Sequence, residues 1–300
     1  MTTWLLLALL SALFLGLYDV AKKASLNANA VLPVLFACSL AGSALVLPAG
    51  LLSWAAPGLA QAVGVFVEPL PWRAHLLVLA KAGIVTASWC LTFFAIKQLP
   101  ISIAAPVRAT APLFVLLGAV LLFGEKPTPL QWVGIGAIVA SYFAFSVLGK
   151  AEGIHFGRDR WVWMLFAGTL VGACSGLYDK HLLQGAALPP MTLQFWFTLY
   201  NAALQGLLVA ALWWPRRAQG SPFRWRWSIV AVGALLLAAD NLYFRSLAQT
   251  GALVSVVSIV RRSNVVVSFA VGSLAFRERN RIGKAGALAG VLVGLLLLMR

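Results

Sequence analysis

The sequence predicts an all-α integral membrane protein of ten transmembrane helices, built as two inverted-topology five-helix repeats. Three observations predict it: an apolar content that no aqueous surface could hide, ten apolar runs of spanning length, and residues that recur in the same order in both halves. Of 300 residues, 61% are hydrophobic and 10% charged, and the mean hydropathy is +0.91. A soluble domain of that size still needs a polar skin, so lipid is the solvent for most of this chain. The net charge is +15 and the pI about 10.6. On a soluble chain such a balance would point to nucleic acid. Here most cations fall between the apolar runs, where they flank spans and meet anionic headgroups. The bilayer is therefore an expected partner and nucleic acid is not.

A span needs about 20 predominantly apolar residues. The runs 3–25, 31–52, 74–96, 101–123, 129–148, 161–183, 191–214, 227–248, 252–275 and 282–299 meet this requirement. Helices are the expected form, because open sheet edges are not tolerated in lipid and the alternation of a membrane barrel is missing. The N-terminus lacks a basic stretch before its first apolar run, so that run reads as a retained span. Joints between spans are short and polar, such as "FGEKPTP" at 123–129, "GKAEGIHFGRDR" at 149–160 and "WPRRAQGSPFRWRW" at 214–227. The longest joint, 53–73, is mildly apolar and is expected along the membrane interface.

The joint at 149–160 divides the chain into units 1–150 and 151–300, with five spans in each. "GLYDVAKK" at 16–23 recurs as "GLYDKHLL" at 176–183. Further on, Phe93 meets Phe244, Gln98 meets Gln249, Arg108 meets Arg261, and Glu125 meets Glu278. Five is odd, so the second unit inserts upside down relative to the first. In such inverted repeats the binding site lies at the repeat interface near midplane.

The joint "FGEKPTPLQWVGIGAIVAS" after span four and its counterpart "FRERNRIGKAGALAGVLVG" resemble the EamA-type family of the drug/metabolite transporter superfamily. The resemblance covers nearly the whole chain and implies export or exchange of small metabolites through a cavity lined by both halves. Tyr-Asp in spans one and six, and Arg261-Arg262 in span nine, depart from the commoner family pattern. If loops alternate faces, most cations lie opposite the termini, which favours both termini outside. The resemblance favours both inside.

A charge near the bilayer centre costs roughly 2.5–3.5 kcal/mol on insertion scales, so intramembrane ionisable groups are candidate functional groups. Arg108 and Arg261 lie at similar depths in spans four and nine, and arginine's fork suits carboxylate or phosphate. They are the expected anion site, with Tyr18, Tyr178, Trp89 and Asn264 as further substrate-binding candidates. Helix-helix pairing of the arginines with Asp179, Asp19 or Asp240 is the competing role. Asp19, Asp179, Asp240, Lys22, Lys81 and Arg262 are the coupling or gating candidates. Asp19 precedes Lys22 by three residues, which permits a local ion pair. Asp179 has no such neighbour on its own face and needs a partner on another helix, water or a proton. Asp240 is expected to pair with Lys81 or to carry a proton. Arg261 and Arg262 are about 100° apart, so only one can face a cavity.

Most tryptophans sit at span ends, as interfacial anchors do; Trp89 and Trp196 lie deeper and are pocket candidates. His75 and His155 lack spaced partners. Cys38, Cys90 and Cys174 are odd in number and without metal-site spacing, so they read as small buried hydrophobes. No catalytic or nucleotide-binding motif is present, and neither enzyme activity nor a cofactor is expected. The reading is a secondary transporter in the inner or plasma membrane, monomeric or homodimeric. It would move a small anionic or zwitterionic metabolite by alternating access, with proton coupling at Asp179 or Asp240. A flippase for a lipid-linked sugar and a non-transporting scaffold are the alternatives.

Overall fold

The computed structural model describes residues 3–98, 111–124, 126–148, 160–218, 221–264, 266–267, 271, 286, 289–290, 292–294 and 296–297. Among them, all regular structure is helical. The elements are α1 (Thr3–Leu26), α2 (Val31–Ala55), a short α3 (Pro57–Ala62), α4 (Trp72–Gln98), α5 (Ala111–Phe123) and α6 (Pro129–Leu148). Then come α7 (Arg160–Lys180), α8 (Pro190–Leu208), α9 (Trp227–Leu247) and α10 (Val254–Arg262). Six described stretches are long and apolar enough to cross a bilayer: Thr3–Leu26, Val31–Ala55, Trp72–Ala95, Arg160–Gly185, Pro190–Arg216 and Trp227–Leu247. The spans expected at 101–123, 252–275 and 282–299 run partly outside the described residues, as do Arg108, Glu125, His155 and Glu278.

The outer walls are greasy. Leu6, Leu13, Leu40, Leu45, Phe143, Leu170 and Leu207 are exposed along the helices. An exposed apolar surface this extensive is stable against lipid, not water. Trp54, Trp72, Trp163, Trp214, Trp225 and Trp227 stand exposed near helix ends, where amphipathic rings meet the headgroup region.

Inside, three antiparallel pairs join the first half of the chain to the second. α1 lies along α9, with Ser246 Oγ donating to the Trp4 carbonyl at one end (2.6 Å), Ser11 Oγ to the Ala239 carbonyl in the middle (2.7 Å), and Ser25 Oγ to Ser228 Oγ at the other (2.7 Å). α4 lies along α7, where Ser88 Oγ donates to the Gly168 carbonyl (2.7 Å) and Tyr178 Oη to the Leu77 carbonyl (3.2 Å). α2 lies along α8, where Ser39 Oγ donates to Gln205 Oε1 (2.8 Å) and Ser43 Oγ to the Thr198 carbonyl (3.3 Å). α10 packs against α1 and α5, and α5 against α7. Small hydroxyl residues suit these seams, because they let backbones approach and bond across helices that lipid alone would not drive together. Described residues near the C-terminus follow the same pattern: Gly290 and Gly294 lie against Ser141 and Ile138 of α6.

Two helix ends are locally widened. α7 runs into a π turn, His181–Gly185, and Gln184 Nε2 donates from it to the carbonyls of Leu247 (2.7 Å) and Ala252 (3.2 Å). α8 ends in a second π turn, Val209–Trp213, just ahead of Pro215, which has no N–H to continue the ladder. The 53–73 joint is pinned down more firmly than its composition predicts. Val67 N donates to Ser53 Oγ and Glu68 N to Thr192 Oγ1, both at 2.9 Å, while an Arg245 guanidinium N–H reaches the Gly64 carbonyl (3.0 Å).

Candidate functional site

The innermost charges form ion pairs, and each pair is assembled by the helix crossings just described. Asp179 stands in the last turn of α7, and the antiparallel crossing sets Lys81 of α4 opposite it. The ammonium donates to Asp179 Oδ1, and Tyr243 Oη of α9 donates to Oδ2 (3.1 Å). Both charged side chains are sealed, at 3% and 5% exposure. Lys81 Nζ also lies over the rings of Phe197 (4.5 Å) and Phe244 (5.1 Å), so an aromatic layer covers the pair. The expected partnership of Lys81 with Asp240 is not what the fold makes. α10 delivers Arg261 to Asp240 instead, leaving Lys81 to neutralise Asp179.

Arg261 donates from a terminal guanidinium nitrogen to Asp240 Oδ1. Its guanidinium carbon lies 4.2 Å above the Tyr243 ring. Tyr243 thus touches both pairs, by its hydroxyl on Asp179 and by its face under Arg261. Among the described residues, Arg261 Nε is buried without a hydrogen-bond partner. Arg262 is half-buried and points from the neighbouring face of α10.

The third pair is local, as its spacing predicts. Lys22 Nζ lies 3.0 Å from Asp19 Oδ1, and Asn264 Nδ2 donates to Asp19 Oδ2. Lys22 Nζ lies over the rings of Tyr18 (4.7 Å) and Phe93 (4.9 Å). Gly16 makes this approach possible. A Cβ there would sit 2.8 Å from the Asn264 carbonyl and 2.5 Å from Val267 Cβ, so any larger residue would push Asn264 away from Asp19.

The repeated tetrapeptide therefore places its two acids in matching surroundings. Asp19 pairs with a lysine that lies over Phe93; Asp179 pairs with a lysine that lies over Phe244. Phe93 and Phe244 are the residues that align between the halves. The two sites lie at opposite ends of the bundle. Asp179 is near the end where α4 and α8 begin, and Asp19 is near the end marked by the Ser25–Ser228 bond.

Between them run two narrow adjoining clefts, each holding little more than a water molecule. The first is lined by Tyr18, Lys22, Ser25, Trp89 and Phe93, among others, and the second by Gln194, Thr198, Asn201, Asp240, Phe197 and Trp89. Cys38, Ser39, Trp89 and Leu236 border both. The polar residues of α8 were the missed signal. Gln194, Thr198, Asn201 and Gln205 recur at i, i+4, i+7 and i+11, which is one helical face. Gln194 Nε2 donates to the Leu237 carbonyl (2.6 Å), and Thr86 Oγ1 donates to Asn201 Oδ1 (2.7 Å). Among the described residues, Gln194 Oε1 and Gln205 Nε2 are buried without partners.

Of the residues predicted from sequence, Tyr18, Lys22, Trp89 and Asp240 line the clefts, Asp19 and Arg261 pair with lining residues, and Asn264 bonds to Asp19. Tyr178 is elsewhere: its hydroxyl reaches Leu77 on α4 and its ring stacks on His181 (5.9 Å). Trp196 does not reach the clefts either. It packs edge-on to His75 (4.6 Å) and stacks on Tyr200 (5.8 Å), whose hydroxyl bonds His75 Nδ1 (2.8 Å), so His75 does have partners.

An all-helical bundle with lipid-facing walls and neutralised charges along interior clefts defines a multi-pass membrane protein. Residues 2–147 match the EamA-like transporter family, which belongs to the drug/metabolite transporter superfamily. Members of this family are membrane transporters rather than enzymes. One solved crystal structure is similar in fold, with a TM-score of 0.69 and 20% identity over 99% of this chain and 95% of the other. No curated protein matches the sequence.

Proposed function

We propose that the protein is a secondary active transporter that exports or exchanges a small anionic or zwitterionic metabolite by alternating access between two inverted repeats, 1–150 and 151–300. The observation that carries this reading is the twin placement of Asp19 and Asp179, each with a lysine over a matched phenylalanine, at opposite ends of one bundle. Two such latches are what a carrier needs if one end is closed while the other opens. The packing supports the repeat assignment: exchanging the halves turns the α1–α9 pair into the α7–α4 pair and returns α2–α8 to itself. Lys81, Asp179 and Tyr243 form the tighter latch. Asp19, Lys22 and Asn264 form the looser one, with 15% and 19% of the Lys22 and Asp19 side chains exposed. Arg261, with Arg108 as its counterpart, supplies the substrate counter-charge. Trp89 and Tyr18 line the path, with Tyr178 and Arg262 as flanking contacts.

Each state needs its own set of charge partners, because only differential contacts shift a conformational equilibrium. No nucleotide site is read from the sequence, so the driving force is an ion gradient or exchange, with Asp179 or Asp240 as proton carrier. The setting is an inner or plasma membrane, with the protein as monomer or homodimer and without enzymatic activity.

Reconstituted vesicles test the reading. Preloaded vesicles should show saturable counterflow of at least one carboxylate-bearing metabolite, and Arg261→Ala should lower it roughly 30-fold or more, as expected for one partner of a buried charge pair. A flux unaffected by an imposed pH step would remove the proton role. Uptake equal to that of empty vesicles across the panel would overturn the transporter reading.

A further inference from the structure

The joint between α8 and α9, "WPRRAQGSPFRWRW" at 214–227, carries four arginines, and no Asp or Glu stands between Asp179 and Asp240 in the sequence. The fold holds these cations in fixed places. Buried Asn29, just before α2, donates from Nδ2 to the Arg224 carbonyl (2.7 Å) and accepts from Arg224 N at Oδ1 (2.9 Å), while Arg224 itself stays exposed. Arg217 folds back on its own turn: Nη1 donates to the Trp214 carbonyl (2.8 Å), and the guanidinium carbon lies 4.5 Å over the Trp214 ring. Because α2 runs antiparallel to α8 and Ser39 meets Gln205, Asn29 is level with the end of α8. Arg224 therefore stands at the depth of Arg216 and Arg217. We infer that this joint is a binding site for an anionic phospholipid, whose headgroup phosphate is taken by Arg216, Arg217 and Arg224.

The surroundings favour a lipid over a soluble anion. Trp214, Trp225 and Trp227 are exposed in the same joint, with the Trp225 and Trp227 rings edge-on at 6.3 Å. Such rings sit at headgroup level, so the arginines lie at the depth of the phosphates. Arginine's planar fork matches a phosphate, and Arg217 has given up one N–H only to the Trp214 carbonyl. Arg226 is engaged elsewhere, donating from Nη1 to the Ala24 carbonyl in the last turn of α1 (2.5 Å). Net negative charge on the headgroup matters because the joint supplies no acid of its own. Among the described residues, the acid placed at this end is Asp19, already bonded to Lys22 and Asn264. A zwitterionic headgroup would bring one more ammonium into the cluster. The opposite end is arranged differently: Arg245 is bonded to Asn241 and to the Gly64 carbonyl, and Lys180 lies over the Phe123 ring.

Native mass spectrometry of the protein in detergent micelles tests the site, with phosphatidylglycerol and phosphatidylcholine as probes. Wild type should retain phosphatidylglycerol saturably and in preference to phosphatidylcholine. Each arginine near an anionic surface is worth roughly fivefold in affinity, so Arg217→Gln/Arg224→Gln should weaken phosphatidylglycerol binding roughly 25-fold. Both side chains are exposed, so the lipid-free variant should unfold at the wild-type temperature. Arg217→Lys/Arg224→Lys keeps the charge and should retain most of the binding, and Lys126→Gln, exposed at the opposite end, should change nothing. Equal retention of the two lipids, or unchanged affinity in the glutamine variant, would overturn the inference. Displacement of the lipid by equimolar inorganic phosphate would mark a soluble-anion site and overturn it as well. The joint contributes no residue to the two clefts, so the transporter reading stands or falls separately.

Discussion

Lys81→Met is expected to be among the most damaging single substitutions in the chain, lowering stability by roughly 3–5 kcal/mol, the usual result of removing one member of a buried ion pair. Methionine matches the length of the lysine stem and keeps the contacts with Phe197 and Phe244, so the loss isolates the charge. What remains is the Asp179 carboxylate, 5% exposed, with the neutral Tyr243 hydroxyl donating to it. In a lipid-embedded bundle that acid must either take up a proton or draw in water. Adding Asp179→Leu to Lys81→Met should recover most of the stability, because an apolar pair of similar volume replaces a pair of desolvated charges. Thermal unfolding in detergent micelles checks both variants. A single variant as stable as wild type would show that the pair is hydrated and that the tight latch does not exist.

Gly233→Val should be nearly as disruptive for a different reason. Gly233 marks the crossing of α9 with α2, where an added Cβ would lie 2.5 Å from the Cys38 carbonyl and 3.0 Å from Gly42 N. Those are backbone atoms, so no side chain can swing aside and the helices must part. Overpacking of this kind costs typically 1–3 kcal/mol and occasionally more. Gly233 and Gly42 also line the second cleft, so the same displacement would deform the Asp240 end of the site. The variant should therefore lose both folded yield and flux. Gly83→Ala is the control: nothing lies within 4 Å of its added Cβ, and in a helix interior alanine is favoured over glycine by up to about 1 kcal/mol. Equal behaviour of the two variants would mean that the α2–α9 crossing is looser than described.

Much of this was legible in the residues. Hydropathy located the helices because lipid imposes one length scale on every span. The repeated Gly-Leu-Tyr-Asp located both acids, and the aligned phenylalanines proved to be the rings their lysines cover. The Asp19–Lys22 pair followed from spacing on one helix. The partner of Asp179 did not, since choosing among several interior cations requires knowing which helices cross, and that depends on packing rather than on local pattern. The pairing with Lys81, one of the two expectations for Asp240, failed on this point. The amide face of α8 was present as a period of 3.6, but its hydrophobic neighbours outnumber it, so the run reads as one more apolar span. His75 was passed over because its partners, Trp196 and Tyr200, are more than 120 residues away. Arg108 lies outside the described residues, and its pairing with Arg261 across the site remains part of the proposal.

One measurement bears most directly on whether the twin acids close opposite ends of one path. Cys38 borders both clefts and is buried, which makes it a native reporter at their junction. With Cys90 and Cys174 replaced by serine, a membrane-impermeant thiol reagent can be applied to either side of oriented vesicles. Asp179→Asn should expose Cys38 to the side where α4 and α8 begin, and Asp19→Asn to the opposite side. Labelling from the same side in both variants would contradict the account.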